Sequence, residues 1–150
     1  MKKILTIAAV LLISLGAYAQ IEHPVKWAYA AKKTGSTEVT VYLKATMEQG
    51  WHIYSMHLKD GGPIKTSFTF AKSKDYSLIG KTTEPTPIKK YDKQFAMNIG
   101  YFENEVIFEQ KVKLRSPNVS AIKGTLEYMT CNDKKCLPSD DVNFSVPIGK

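Results

Sequence analysis

Apolar and polar residues alternate along most of this chain. Val39, Val41, Leu43 and Ala45 share one parity, against Thr40, Tyr42 and Lys44. Trp51, Ile53 and Ser55 alternate with His52, Tyr54 and Met56, and Ser67-Phe68-Thr69-Phe70 is short and aromatic. Val106, Phe108, Val112 and Leu114 alternate with Glu105, Glu109, Lys111 and Lys113. Ile107 breaks that last pattern, so this strand is expected to be covered on both faces there. Ile122, Leu126 and Tyr128 keep one parity, as do Val142, Phe144, Val146 and Ile148. A period of two places successive side chains on opposite faces, which is the mark of half-buried strands. No long stretch carries a helical stripe.

Turn signals separate these runs: Thr34-Gly35-Ser36, Glu48-Gln49-Gly50, Asp60-Gly61-Gly62-Pro63 and Ser116-Pro117-Asn118. Short strands at this spacing, with no helices between them, predict an all-β fold, an immunoglobulin-like antiparallel β-sandwich. A barrel is the alternative. The segment from Lys81 to Met97, with Pro85 and Pro87 near its start, reads as an irregular loop. It is long for a compact domain, which makes it a candidate lid.

The first 19 residues stand outside this fold. Lys2 and Lys3 precede an apolar run from Ile4 to Leu15, and Ala17-Tyr18-Ala19 supplies the small-x-small pattern of a cleavage site. This is a secretory signal peptide, with cleavage expected after Ala19 and a single domain over 20–150. The apolar run is shorter than the roughly 20 residues needed to span a bilayer, so no membrane insertion is expected after cleavage. The formal net charge is +7 over 150 residues, of which Lys2 and Lys3 account for two. The lysines are scattered and Arg115 is the only arginine. Without a basic stripe, nucleic acid is not an expected partner. Export has a larger consequence for the cysteines, because it takes them to a compartment where disulfides persist.

Cys131 and Cys136 are the only two cysteines. The polar, turn-like segment between them joins a strand ending at Thr130 to one beginning near Val142. That places the pair at the tip of a hairpin-like connection, where two strand ends come within bonding range. A structural bridge and a reversible dithiol–disulfide pair both fit. A bridge closing so short a loop stabilises by only about 2 kcal/mol in the loop-entropy account. Exchange needs an accessible thiolate with a resolving thiol nearby. Lys134 and Lys135 favour a thiolate at Cys136, and Asp133 partly opposes them. Two thiols with no adjacent histidine are too few ligands for zinc.

The chain resembles the amino-terminal periplasmic domain family of the thiol:disulfide interchange protein DsbD, the disulfide bond corrector family. Four features carry the resemblance. Gly50-Trp51-His52-Ile53-Tyr54-Ser55 is similar to the family's glycine-aromatic strand. Tyr91-Asp92-Lys93-Gln94-Phe95 is similar to its acidic-aromatic cap, and the strand from Val106 to Leu114 follows at about the expected distance. Tyr128-Met129-Thr130-Cys131 with Cys136-Leu137-Pro138 is similar to its Tyr-x-x-Cys and Cys-x-Pro segments.

The resemblance implies an immunoglobulin-like sandwich with an active-site cysteine pair. It implies a relay that takes electrons from a membrane-embedded donor and passes them to exported thioredoxin-like proteins. By position, Cys136 matches the cysteine that forms mixed disulfides, and Cys131 the resolving one. His52 and Tyr54 match aromatic residues lining the site. Phe95 matches the aromatic that shields the cysteines, with Asp92 and Gln94 in the acidic part of the cap. The four residues between the cysteines are one fewer than in the best-known members, and Lys93 and Gln94 make the cap less acidic. No membrane domain follows before Lys150, so the donor is expected to be a separate polypeptide. No cofactor and no metal are expected.

Two other readings compete. His52, Met56 and His57, with Met97, Met129 and the cysteines, are soft enough ligands for an exported copper site, although His52 and His57 have opposite strand parity. The remaining alternative is a non-catalytic interaction domain with an inert bridge.

Overall fold

A computed structural model describes residues 22–93 and 95–149. The expected signal peptide and Gln94 lie outside the described residues. Among those described there are eleven strands and no helix. They are β1 (Val25–Lys33), β2 (Glu38–Met47), β3 (His52–Tyr54), β4 (Ser67–Phe70), β5 (Tyr76–Thr83), β6 (Ile88–Asp92), β7 (Met97–Glu103), β8 (Glu105–Leu114), β9 (Ala121–Tyr128), β10 (Thr130–Cys131) and β11 (Asp140–Pro147). All strand pairings are antiparallel.

One layer is the sheet β1-β2-β8-β5. The other is built from two sheets, β11-β9-β4 and β10-β3-β7-β6. The apolar parity of each predicted strand meets between the layers, where Val41, Leu43, Phe108, Ile122, Leu126, Val146 and Ile53 are all fully buried. Trp27 on β1 ties the layers together, with its ring against Phe68, Phe108 and Tyr128. This is the expected antiparallel sandwich, with open sheet edges in place of a closed barrel.

Three expectations need correction. Ile107 is 40% exposed, between Val106 and Phe108 which are buried, so β8 is covered on one face only. The core parity of β8 is instead carried through Gln110, which is 1% exposed. Its amide donates to the carbonyls of Ile79 and Lys111 and accepts from the Thr82 hydroxyl. These groups lie beside the register shift between Ile79 and Thr83, where Gly80 takes φ +67°. A bulge leaves ladder groups unpaired, and a buried glutamine fits there because its amide satisfies them.

The segment from Lys81 to Met97 is not an irregular loop. β5 runs to Thr83, and β6 pairs with β7 from Ile88↔Tyr101 to Asp92↔Met97. β6 is an edge strand with Ile88, Lys89, Lys90 and Tyr91 all exposed. With no buried face it has no apolar alternation to reveal it, and only the backbone ladder defines it. The predicted run Trp51–Met56 shortens to His52–Tyr54. Beyond it, the Glu84 carboxylate accepts from the Ser55 hydroxyl and from the Met56 N–H at 2.8 Å, which draws the chain out of the ladder.

Candidate functional site

The chain passes from one sheet of the second layer to the other at Met129, between β9 and β10. β10 is only Thr130 and Cys131, and it is held against β3 by register and by a side chain. Thr130 and Cys131 pair with Ile53 and His52, and the Thr130 hydroxyl donates to the His52 carbonyl at 2.9 Å. The chain then turns. Asn132 Oδ1 accepts from the N–H groups of Lys134 and Lys135 at 2.8 and 2.9 Å, an Asx turn of the kind this residue type favours.

The turn brings Cys136 directly across from Cys131. Leu137 N–H donates to the Thr130 carbonyl, and Asn132 N–H to the Lys135 carbonyl. The cysteines between these bonds form a non-hydrogen-bonded pair, the type in which opposed Cα atoms lie closest. Their Cα atoms are 4.0 Å apart and the sulfurs are joined in a disulfide. The two cysteines differ in access: Cys131 is 2% exposed, whereas Cys136 is half-buried.

The disulfide opens into a hollow of about 480 Å3. His52, Tyr54, Tyr101 and Glu103 line it from β3 and β7, and Lys90 to Lys93 from β6 and the turn after it. His52 and Tyr54, expected from the resemblance, therefore reach the cysteine site. Their rings meet edge to face at 5.3 Å, with His52 Nε2 and the Tyr54 hydroxyl 3.3 Å apart. Tyr101, directly across from Tyr54 on β7, also packs against the His52 ring at 5.1 Å. It shares a face with Glu103, opposite to buried Phe102, and this parity was the available signal for both lining residues.

Burial pushes the Tyr54 phenol up to about 12, helped by the negative charge of Asp92. Burial also lowers the pKa of His52 below its ordinary value, against the opposing pull of Glu103, Asp133 and Asp92. The imidazole is accordingly held in its neutral form at pH 7.

Of the expected cap, Asp92 lines the hollow and accepts from the Phe95 N–H at 3.2 Å. Phe95 is half-buried and stands outside the lining. The turn ends at Ala96, whose φ of 51° lies in the left-handed region that β-carbon-bearing residues seldom adopt. Of the two lysines expected to favour a Cys136 thiolate, Lys135 forms a 2.8 Å ion pair with Glu22. His57 lines a different hollow, with Ser55, Glu84 and Met97. Among the described residues, no three His, Cys, Asp or Glu side chains are grouped to hold a metal.

The site is thus one disulfide closing a short loop of a β-sandwich, beside an open hollow lined by aromatic side chains. The chain belongs to the family described as thiol:disulfide interchange protein DsbD, N-terminal, whose sequence profile matches residues 22–147. Among solved structures it is similar to the N-terminal periplasmic domain of ScsB from Proteus mirabilis, at 19% identity and TM-score 0.56. That match covers 82% of this chain and 45% of the ScsB domain, so the chain spans less than half of that relative. It is also similar to the reduced DsbD N-terminal domain of Neisseria meningitidis, at 14% identity and TM-score 0.54, covering 83% of this chain and 86% of that one. A third match is the DsbD N-terminal domain in its complex with the PilB N-terminal domain from the same organism. It has 15% identity and TM-score 0.56, with coverage of 84% and 87%. These likenesses establish the immunoglobulin-like fold. No curated protein matches the chain.

Proposed function

We propose that this chain is an exported redox relay, a protein-disulfide reductase in type, that exchanges electron pairs with thioredoxin-like proteins through Cys131 and Cys136. The observation that carries the reading is the unequal access of two bonded sulfurs at the floor of an open hollow. Cys136, the more exposed, is the exchanging cysteine. Cys131, buried behind it, is the resolving one. The complex of a family member with the PilB N-terminal domain supports a protein as the visiting substrate.

In the reduced chain the Cys136 thiolate attacks one sulfur of a partner's disulfide. The partner's other sulfur leaves with the bonding pair and takes a proton. Cys131 then attacks the Cys136 sulfur, and the partner's second sulfur departs as a thiol. The partner gains two electrons, and the Cys131–Cys136 bond re-forms. A separate membrane-embedded donor returns the pair to the dithiol. Asp92, bonded to the Phe95 N–H, belongs to the cap that limits access by small oxidants, and His52 and Tyr54 form the wall against which the partner's disulfide lies. A signal peptide cleaved after Ala19 delivers the domain over 20–150 to the periplasm, the location stated for the ScsB relative.

The test is covalent trapping. Reduced Cys131→Ala protein incubated with oxidised periplasmic extract should accumulate mixed disulfides at Cys136 that dithiothreitol releases. Cys136→Ala should trap far less, because the remaining sulfur is buried. Equal trapping by both variants, or by neither, overturns the assignment.

A further inference from the structure

The sheet order β10-β3-β7 sets four residues in one row. Cys136 stands opposite Cys131, Cys131 opposite His52, and His52 opposite Glu103. Residues directly opposed in an antiparallel sheet project from the same face, with Cβ atoms roughly 4.5–5.5 Å apart. All four line the same hollow. The row therefore runs disulfide, imidazole, carboxylate.

We propose that His52 is the base that takes the proton from the Cys131 thiol as that thiol closes the disulfide, with Glu103 as the positioning residue that supports the charge formed. The proposal rests on the exchange reading above and adds the proton path that reading lacks. Cys131 is 2% exposed, and burial makes a thiol a weaker acid and a poor nucleophile. The resolving step needs its thiolate, and little water reaches it. The neighbour in the row is an imidazole that burial keeps neutral and hence ready to accept a proton.

Charged and titratable groups act on His52 from each strand around it, and Tyr91 and Lys93 complete the titratable lining of the hollow. On its own strand Tyr54 stays a neutral phenol at pH 7. From β7 come Tyr101, packed on the ring, and the Glu103 carboxylate. Asp133 acts from the cysteine turn and Asp92 from β6, both favouring the imidazolium, while Lys90 on β6 opposes it. The ring thus starts neutral, and three carboxylates stabilise the cation it becomes.

The Cys131 S–H bond breaks and its proton goes to the imidazole. The sulfur's electron pair forms the bond to Cys136. The bond from Cys136 to the partner breaks, and the partner's sulfur leaves with that pair and takes up the proton. His52 returns to neutral.

Reduced protein mixed with Ellman's disulfide separates the two stages. The first nitrothiolate released reports attack by Cys136, and the second reports closure by Cys131. In His52→Gln the second phase should be about 100-fold slower at pH 7, the usual scale of a lost general base, and should approach the native rate as alkali ionises the thiol unaided. The first phase should slow far less than the second, because His52 serves it only as part of the wall of the hollow. In Glu103→Gln, an exposed change, the pH midpoint of the second phase should move down, because a carboxylate that favours the imidazolium has gone. A second phase in His52→Gln that follows the native rate at all pH values overturns the proposal. So does a slowing of both phases alike, or an unmoved midpoint in Glu103→Gln. A native protein that gives the first phase without the second overturns the exchange reading itself.

Discussion

Cys131 lies directly across the sheet from His52, and the Thr130 hydroxyl clamps the same two strands by donating to the His52 carbonyl at 2.9 Å. A two-residue strand has little ladder of its own. The position of the buried sulfur therefore depends on this one side-chain bond and on the turn that follows it.

Replacing Thr130 with Val keeps the shape and removes the donor. The loss of one intramolecular hydrogen bond is expected to cost about 1 kcal/mol. Denaturant unfolding of the oxidised protein measures it. Nitrothiolate release should also slow in its second phase, since the resolving sulfur is less firmly held. Unchanged stability and kinetics would show that the backbone pairing suffices.

A working couple should have a reduction potential in or above the glutathione range, whereas an inert structural bridge falls below about −300 mV. Equilibration of the Cys131–Cys136 pair in glutathione buffers, read by alkylation of free thiols, gives the value. A potential in the structural range would sink the relay and leave a non-catalytic domain.

Alkali should weaken the fold through two tyrosines. Tyr54 and Tyr128 are both raised to about 12, by burial first and then by Asp92 and Asp140 respectively. A phenol whose folded pKa exceeds its unfolded value near 10 contributes stability that is whole below pH 10. That contribution falls away as pH rises from 10 through 12. Chemical denaturation at pH 9, 10 and 11 should show a decline that Tyr54→Phe and Tyr128→Phe each reduce. A native profile flat over this range would contradict the buried-phenol account.

Gly124 tests the sandwich independently of the site. A Cβ there would collide with the Phe144 ring and come within 2.5 Å of the Thr69 carbonyl oxygen. Gly124→Ala should therefore destabilise by about 1–3 kcal/mol, the range for overpacked cores. The melting temperature should fall while Ellman kinetics at low temperature stay native. An unshifted melting temperature would mean that β9 and β4 can separate freely at this point.

The strands with one buried face were legible from alternation, because burial imposes apolar parity on residues such as Val39, Val41 and Leu43. β1 carried the same signal at Val25, Trp27, Tyr29 and Ala31, although no strand was expected there. β6 was hidden, since a solvated edge strand places no demand on side-chain type. Ile107 misled for a related reason: an apolar residue on the outer face costs little, so its presence says nothing about cover.

The sequence by itself determined the class of fold, the cysteine pair, its short loop, and the aromatic strand of His52 and Tyr54, because each is written in local spacing. Only the tertiary structure decided which cysteine is buried and which residues share its hollow. Tyr101 and Glu103 belong to the site through register between strands far apart in the chain. Register follows from how whole sheets pack, and no local pattern around Cys131 records who stands across from it.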